Sequence, residues 1–320
     1  MDHPLAPHLS SDLLSRLLAT AKPKARSTET HDNLHVPELK ALDGPVQCLL
    51  LGDSMFERFK TTGRNSHFGD PSSTSMPFTQ NGDTIIARVI HPNGGIDVAA
   101  GIQPTSAPTT VTLPGTSDPI YPDPSLVSSW NQDSGIFNAG CGGDTIRNVI
   151  HRLIGTTCSP GLLELLHYHP PRHIFLCMGT NDLGDGKKPL TDPCLTDYSL
   201  VLMVLVTLFP SAKICVCGLN PKRRVKRVCV VEDSNRKLEE AISECNEGAL
   251  WSAEHRQNAE IQVDFLPSDP GWIEHLENDG VHLNEAGYAL FGQRLWKRYE
   301  DMKQREHCRT ANEQNMRPKS

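Results

Sequence analysis

Four short stretches carry residue types suited to acyl-transfer chemistry. In "LLLGDSM" a run of leucines stops at Gly52-Asp53-Ser54. A serine directly after a buried strand, where a helix begins, stands where a nucleophile is useful. The helix start adds backbone N–H groups that can face a developing oxyanion. The competing reading is a helix cap, because Asp and Ser are both favoured there. Position 56 is Phe, so this is not a G-x-S-x-G elbow. In "FNAGCGGDTIRNVIHRL" a short strand runs into glycines and then into a helix opening with Asp144 and Thr145. Such a turn exposes N–H groups to an anion. It lacks the G-x-G-x-x-G spacing of a dinucleotide loop. In "FLCMGTNDLG" the Asn181 amide can donate to an oxyanion, or simply close an Asx turn. In "NDGVHLNEAGY" Asp279 and His282 are three residues apart. That spacing lets the carboxylate face the imidazole and fix its tautomer; a capping Asp in a surface turn is the plainer alternative.

These residues need a frame that brings them together. Short apolar runs ending in Gly, Asn or Pro predict strands at 46–51, 136–139, 173–178, 212–218 and 261–266. Helical spacing predicts helices at 145–154, 195–209 and 234–255, and one from Asn284, as N-cap, to about residue 303. Strand–helix alternation implies right-handed crossovers and a three-layer α/β sandwich with a parallel sheet. Ligands in such folds bind beyond the carboxyl ends of the strands. All four stretches follow or adjoin predicted strand ends.

Residues 1–44 are polar and proline-punctuated and read as an extension with one short helix at 12–21. The α/β domain spans 45–303, interrupted at about 63–134, and 304–320 form a polar tail. Residues 63–134 are rich in Pro, Gly, Ser and Thr with little periodicity, which predicts a disordered insertion. Translated intron and a lid over the site are the alternatives. A net charge of −7 argues against nucleic acid or an anionic membrane surface as partner. No run approaches transmembrane length, and the amino terminus lacks the apolar core of a signal peptide. Ten cysteines without paired metal-ligand spacing read as reduced thiols of a cytoplasmic protein. Cys48, Cys177, Cys215 and Cys217 lie within strands. Cys141 adjoins the glycine turn and reads as a packed thiol. The basic run "NPKRRVKR" reads as a solvated loop, with contact to an acidic substrate as the lesser alternative.

The ordered blocks resemble the SGNH (GDSL-like) hydrolase superfamily. "GDSM" and "FNAGCGGDTIRNVIHRL" look most like the catalytic subunits of platelet-activating-factor acetylhydrolase Ib and their microbial relatives. The resemblance implies a flavodoxin-like sheet of about five parallel strands. It also implies ester hydrolysis without metal or cofactor, on a small substrate such as a lipid, an acetylated sugar or another acyl ester. Residue by residue, it assigns Ser54 as nucleophile, His282 as base and Asp279 as its orienting acid. The oxyanion hole falls to the Ser54 N–H, Gly143 and Asn181. Acyl transfer at the same site, a non-catalytic binding module and a homodimer are left open. The long connection at 63–134 departs from compact members of the superfamily.

Overall fold

The computed structural model describes residues 3–62, 89–90, 96–97, 130–131, 135–184, 186, 188–223, 229–248 and 263–316. Its strands are β1 (Cys48–Gly52), β2 (Val89–Ile90), β3 (Ile96–Asp97), β4 (Trp130–Asn131), β5 (Ile136–Gly140), β6 (His173–Cys177), β7 (Lys213–Cys217) and β8 (Val263–Leu266). Its α-helices are α1 (Ser11–Thr20), α2 (Ala25–Thr30), α3 (Val36–Lys40), α4 (Ser54–Glu57), α5 (Ile146–Ile154), α6 (Leu162–Tyr168), α7 (Asp192–Leu208), α8 (Cys229–Asn246) and α9 (Glu285–Met316).

The main sheet has the order β4-β5-β1-β6-β7-β8. The five strands from β5 to β8 pair in parallel, and β4 adds an antiparallel edge. Helices flank the sheet, giving the three-layer α/β sandwich expected. The first strand lies inside the sheet, so the chain crosses over on both sides of it, which is the flavodoxin-like arrangement. Cys48, Cys177, Cys215 and Cys217 are free, buried thiols in these strands.

Side chains alternate across the sheet and split the core in two. Leu49, Leu51, Phe137, Ile174, Leu176, Ile214 and Val216 face one layer, with α5, α6, α7 and α8. Leu50, Ile136, Phe175, Cys177, Cys215 and Cys217 face the other, with α4 and α9. Register brings Gly52 opposite Gly140 on one side and Cys177 on the other. The carboxyl ends of β1, β5 and β6 are therefore level, and the loops leaving them share one rim.

The segment before β1 holds more helix than one-element reading of the sequence anticipates. α1 matches expectation, but α2, a π-helical turn (His31–His35) and α3 follow it. Leu5, Leu9, Leu14, Leu17, Val36 and Leu39 all join the first core. The chain is tied to α5 as well, since Lys22 N–H donates to Arg147 O at 3.0 Å and Asn148 Nδ2 donates to Lys22 O at 2.8 Å. α9 continues to Met316, beyond the helix end predicted.

The predicted insertion at 63–134 lies almost wholly outside the described residues. Residues Gly69–Pro122 form a unit of their own, whose described part is the antiparallel pair β2 and β3. Among the described residues, no helix is long and apolar enough to cross a membrane.

Leu17 is fully buried on α1, which packs against α5 and α7. Leu17→Ala should therefore cost about 2–5 kcal/mol of folding stability, measured by urea denaturation. A surface extension would lose almost nothing.

Candidate active site

Gly52 ends β1 because nothing larger fits: a Cβ there would lie 2.0 Å from the Cys177 carbonyl oxygen. Asp53 then turns the chain. Its N–H donates to Cys177 O at 3.0 Å, and its Oδ1 accepts the Met55 N–H at 2.9 Å. Asp53 is thus the cap of α4, and Ser54 is the first helical residue. The two readings of the G-D-S turn belong to different residues. The cap is Asp53, and the Ser54 hydroxyl remains available.

That hydroxyl lies 2.8 Å from His282 Nε2. The opposite ring nitrogen, Nδ1, lies 2.5 Å from Asp279 Oδ2. Both residues sit in a tight turn before α9, closed by Glu277 N–H to His282 O at 2.7 Å. Asp279 Oδ1 accepts the N–H groups of Val281 at 2.8 Å and His282 at 3.0 Å. Burial alone would raise the Asp279 pKa, but the His282 ring and these N–H groups outweigh it and bring it down to about 2. Burial pushes the His282 pKa below its usual value; the Asp279 hydrogen bond opposes this and the Arg58 charge adds to it. Near neutral pH the pair is therefore carboxylate and neutral imidazole. The Asp279 anion accepts a hydrogen bond from Nδ1–H, which leaves Nε2 as acceptor for the serine.

Gly143 holds a φ of +74°, a conformation that suits glycine. Neither its N–H nor that of Ser54 has an acceptor among the described residues. Asn181 Nδ2 donates to the Asp144 carbonyl at 2.9 Å, which ties the "GTND" loop to the glycine turn. Next to it, Asp182 Oδ2 caps α5 by accepting the Ile146 N–H at 3.1 Å. Burial raises the Asp182 pKa to about 6. Cys141 is fully buried, and burial pushes its thiol up to about 11, so it packs rather than reacts. The structure thus joins Ser54, His282 and Asp279 in one hydrogen-bonded line, and Gly143 and Asn181 in an adjoining turn.

Four further residues bear on this site, and of these the sequence flags only Lys222, within its basic run. Arg152 is fully buried. It donates to Asp144 Oδ2 at 2.8 Å, Ala139 O at 2.8 Å and Gly52 O at 3.0 Å. Its only signal is a cation three residues after Val149, on the buried side of α5. Arg58 pairs with Glu277 at 2.8 Å and approaches Asp279 Oδ2 at 3.7 Å. Lys24 donates to Gly142 O at 3.2 Å. Lys222, from the run read as solvated, is half-buried and donates to Thr180 O at 2.8 Å. Residues 224–228 of that run lie outside the described residues.

Residues 114–290 match the GDSL-like lipase/acylhydrolase family. The match takes in Gly143, Asn181, Asp279 and His282, and Ser54 precedes it. No curated protein matches the chain. Among solved structures, the chain is similar to a GDSL-like lipase from Bacteroides thetaiotaomicron at 13% identity, covering 84% of this chain and 96% of that one, with a TM-score of 0.47. A family 3 carbohydrate esterase from Clostridium thermocellum aligns at 16% identity over 82% and 98% of the two chains, with a TM-score of 0.44. A carbohydrate esterase of family 3 from Talaromyces cellulolyticus aligns at 16% identity over 80% and 99%, with a TM-score of 0.42.

Two outcomes follow from the site's electrostatics. Removing the Arg58 charge takes away a repulsion on imidazolium, so Arg58→Gln should raise the His282 pKa, read by NMR titration of the ring. Asp53 is fully buried, and burial lifts its pKa from 3.8 to about 7. Between those two values the unfolded chain releases a proton that the folded chain keeps, so stability falls as pH rises. Asp53→Asn preserves an acceptor for Met55 and removes that cost. Its Tm should exceed wild type at pH ~8, with the gain shrinking towards pH ~4.

Proposed function

Because the chain belongs to the GDSL-like lipase/acylhydrolase family, and is on that ground a carboxylic ester hydrolase, we propose that it works through an acyl-enzyme on Ser54. One observation carries this reading: the unbroken line from Ser54 Oγ to His282 to Asp279, at 2.8 and 2.5 Å.

The steps follow from those contacts. His282 Nε2 accepts the Ser54 proton as Oγ attacks the ester carbonyl. Asp279, ionised well below neutral pH, stabilises the imidazolium and keeps Nδ1 protonated. The carbonyl oxygen becomes an anion and needs donors that are not already committed. The N–H groups of Ser54 and Gly143 fit that need, since neither has an acceptor among the described residues. Asn181 contributes its second amide N–H, the first being held by Asp144 O. Collapse of the intermediate passes the His282 proton to the leaving alcohol. Water, activated by the same imidazole, then releases the acid and restores Ser54. No step calls for a metal or a cofactor.

The proposal gives a graded set of losses on p-nitrophenyl acetate. Ser54→Ala should lower kcat by about 10⁴-fold or more and abolish labelling by a fluorophosphonate probe. Asn181→Ala removes one oxyanion donor and should cost about 10² to 10³-fold in kcat while labelling persists at a slower rate. Undiminished turnover by Ser54→Ala would sink the assignment.

A further inference from the structure

We propose that Lys222 is an anion-recognition residue beside the nucleophile, and that the natural substrate is an ester carrying a negatively charged group. This rests on the esterase reading above and specifies its substrate class.

Three observations carry it. The first is position. Lys222 lies in the loop after β7, and its ammonium sits on the carbonyl of Thr180, which adjoins Asn181. The next residue, Arg223, donates its N–H to Gly280 O at 2.8 Å, next to Asp279. The loop thus bridges the "GTND" loop and the turn of Asp279 and His282, and it holds a cation between them. The second is charge. Buried or half-buried cations elsewhere around the site have carboxylate partners: Arg152 has Asp144, and Arg58 has Glu277. Lys222 has no carboxylate ion pair among the described residues, in a chain of net charge −7. A half-buried ammonium has lost part of its hydration, and with one N–H on Thr180 O it keeps two for an anion. Burial lowers its pKa, and the charge of Asp53 opposes this. The third is the company in the loop. Asn220 is 3% exposed, and neither end of its amide has a partner among the described residues. Its amide therefore adds an uncommitted donor and acceptor to the loop that carries Lys222.

The anionic group can belong to the acyl or to the alcohol part, and matched esters separate the two. In the acyl arm, wild type, Lys222→Met and Lys222→Arg are given mono-p-nitrophenyl glutarate and neutral p-nitrophenyl valerate. In the alcohol arm they are given p-acetoxybenzoate and its neutral counterpart p-acetoxybenzamide. The readout is the charged-to-neutral ratio of kcat/KM, which is insensitive to the fraction of folded protein. Wild type should favour the charged ester in one arm, mostly through KM, and added salt should erode that preference. Lys222→Met should cut the ratio about tenfold, and Lys222→Arg should retain most of it. An unchanged ratio in both arms, or an equal loss on charged and neutral esters, would overturn the proposal and leave the esterase reading standing. Absence of any Ser54-dependent turnover in either arm would overturn both.

Discussion

The buried pair of Arg152 and Asp144 is the interaction on which the rim of the sheet depends. Both side chains are fully shielded from water. An isolated charge there would be very costly, so each ion is tolerable only with the other and with neutral partners around it. The guanidinium spends its remaining N–H groups on the carbonyls of Ala139 and Gly52, at the ends of β5 and β1. Asp144 also accepts the Ser27 hydroxyl at 3.0 Å. One planar cation thus fixes the strand end that carries Ser54 and the turn that carries Gly143. Removing one member of such a pair typically costs about 3–5 kcal/mol, because the other ion is left buried alone. Ser54 and Gly143 thus depend on the same buried ion pair for their placement.

Around that clamp, like side chains are driven to different states by their surroundings. Asp53, Asp182 and Asp279 are all carboxyls within one rim, yet their pKa values are pushed to about 7, 6 and 2. Burial acts on all three. Only Asp279 has two backbone N–H groups and an imidazole to outweigh it. Asp279 is therefore ionised beside His282, while Asp53 carries only part of its charge at neutral pH.

The strands were legible because residues buried on both faces of a parallel sheet read as unbroken apolar runs. "CLLLG", "HIFLC" and "KICVC" each fall within a residue or two of prediction. Of the candidate site, Ser54, Gly143 and Asn181 stood out as following those strands, and Asp279 and His282 through their mutual spacing before the last helix. The segment before β1 was not legible, for a physical reason. α2 is six residues long and α3 five, too short to show a period. The buried positions of α2 and the π-helical turn after it include Ser27, Thr30, His31 and His35, which hydropathy counts as surface. Arg152 was hidden likewise, since a cation in a helix reads as solvated until its partner is known. α6, "LLELLHY", has seven residues and gave no clear period.

The amino-terminal segment has a charge logic as well as an apolar one. Arg26 pairs with Glu57 of α4 at 3.0 Å, and Glu57 is almost fully buried. Lys24 stands 3.9 Å from Asp144 Oδ1 and donates to the carbonyl beside Gly143. Ser27 completes the coordination of Asp144. Two carboxylates of the rim thus draw part of their compensation from residues 24–27. One belongs to the helix that begins with Ser54, and the other to the glycine turn. His31 and His35 line the same layer, and burial lowers the His31 pKa to about 4 and holds His35 well below its usual value. At neutral pH both are uncharged, so the cations of this layer meet no added repulsion from imidazolium. The segment that reads as an appendage in the sequence is, in these terms, the outer wall of the glycine turn.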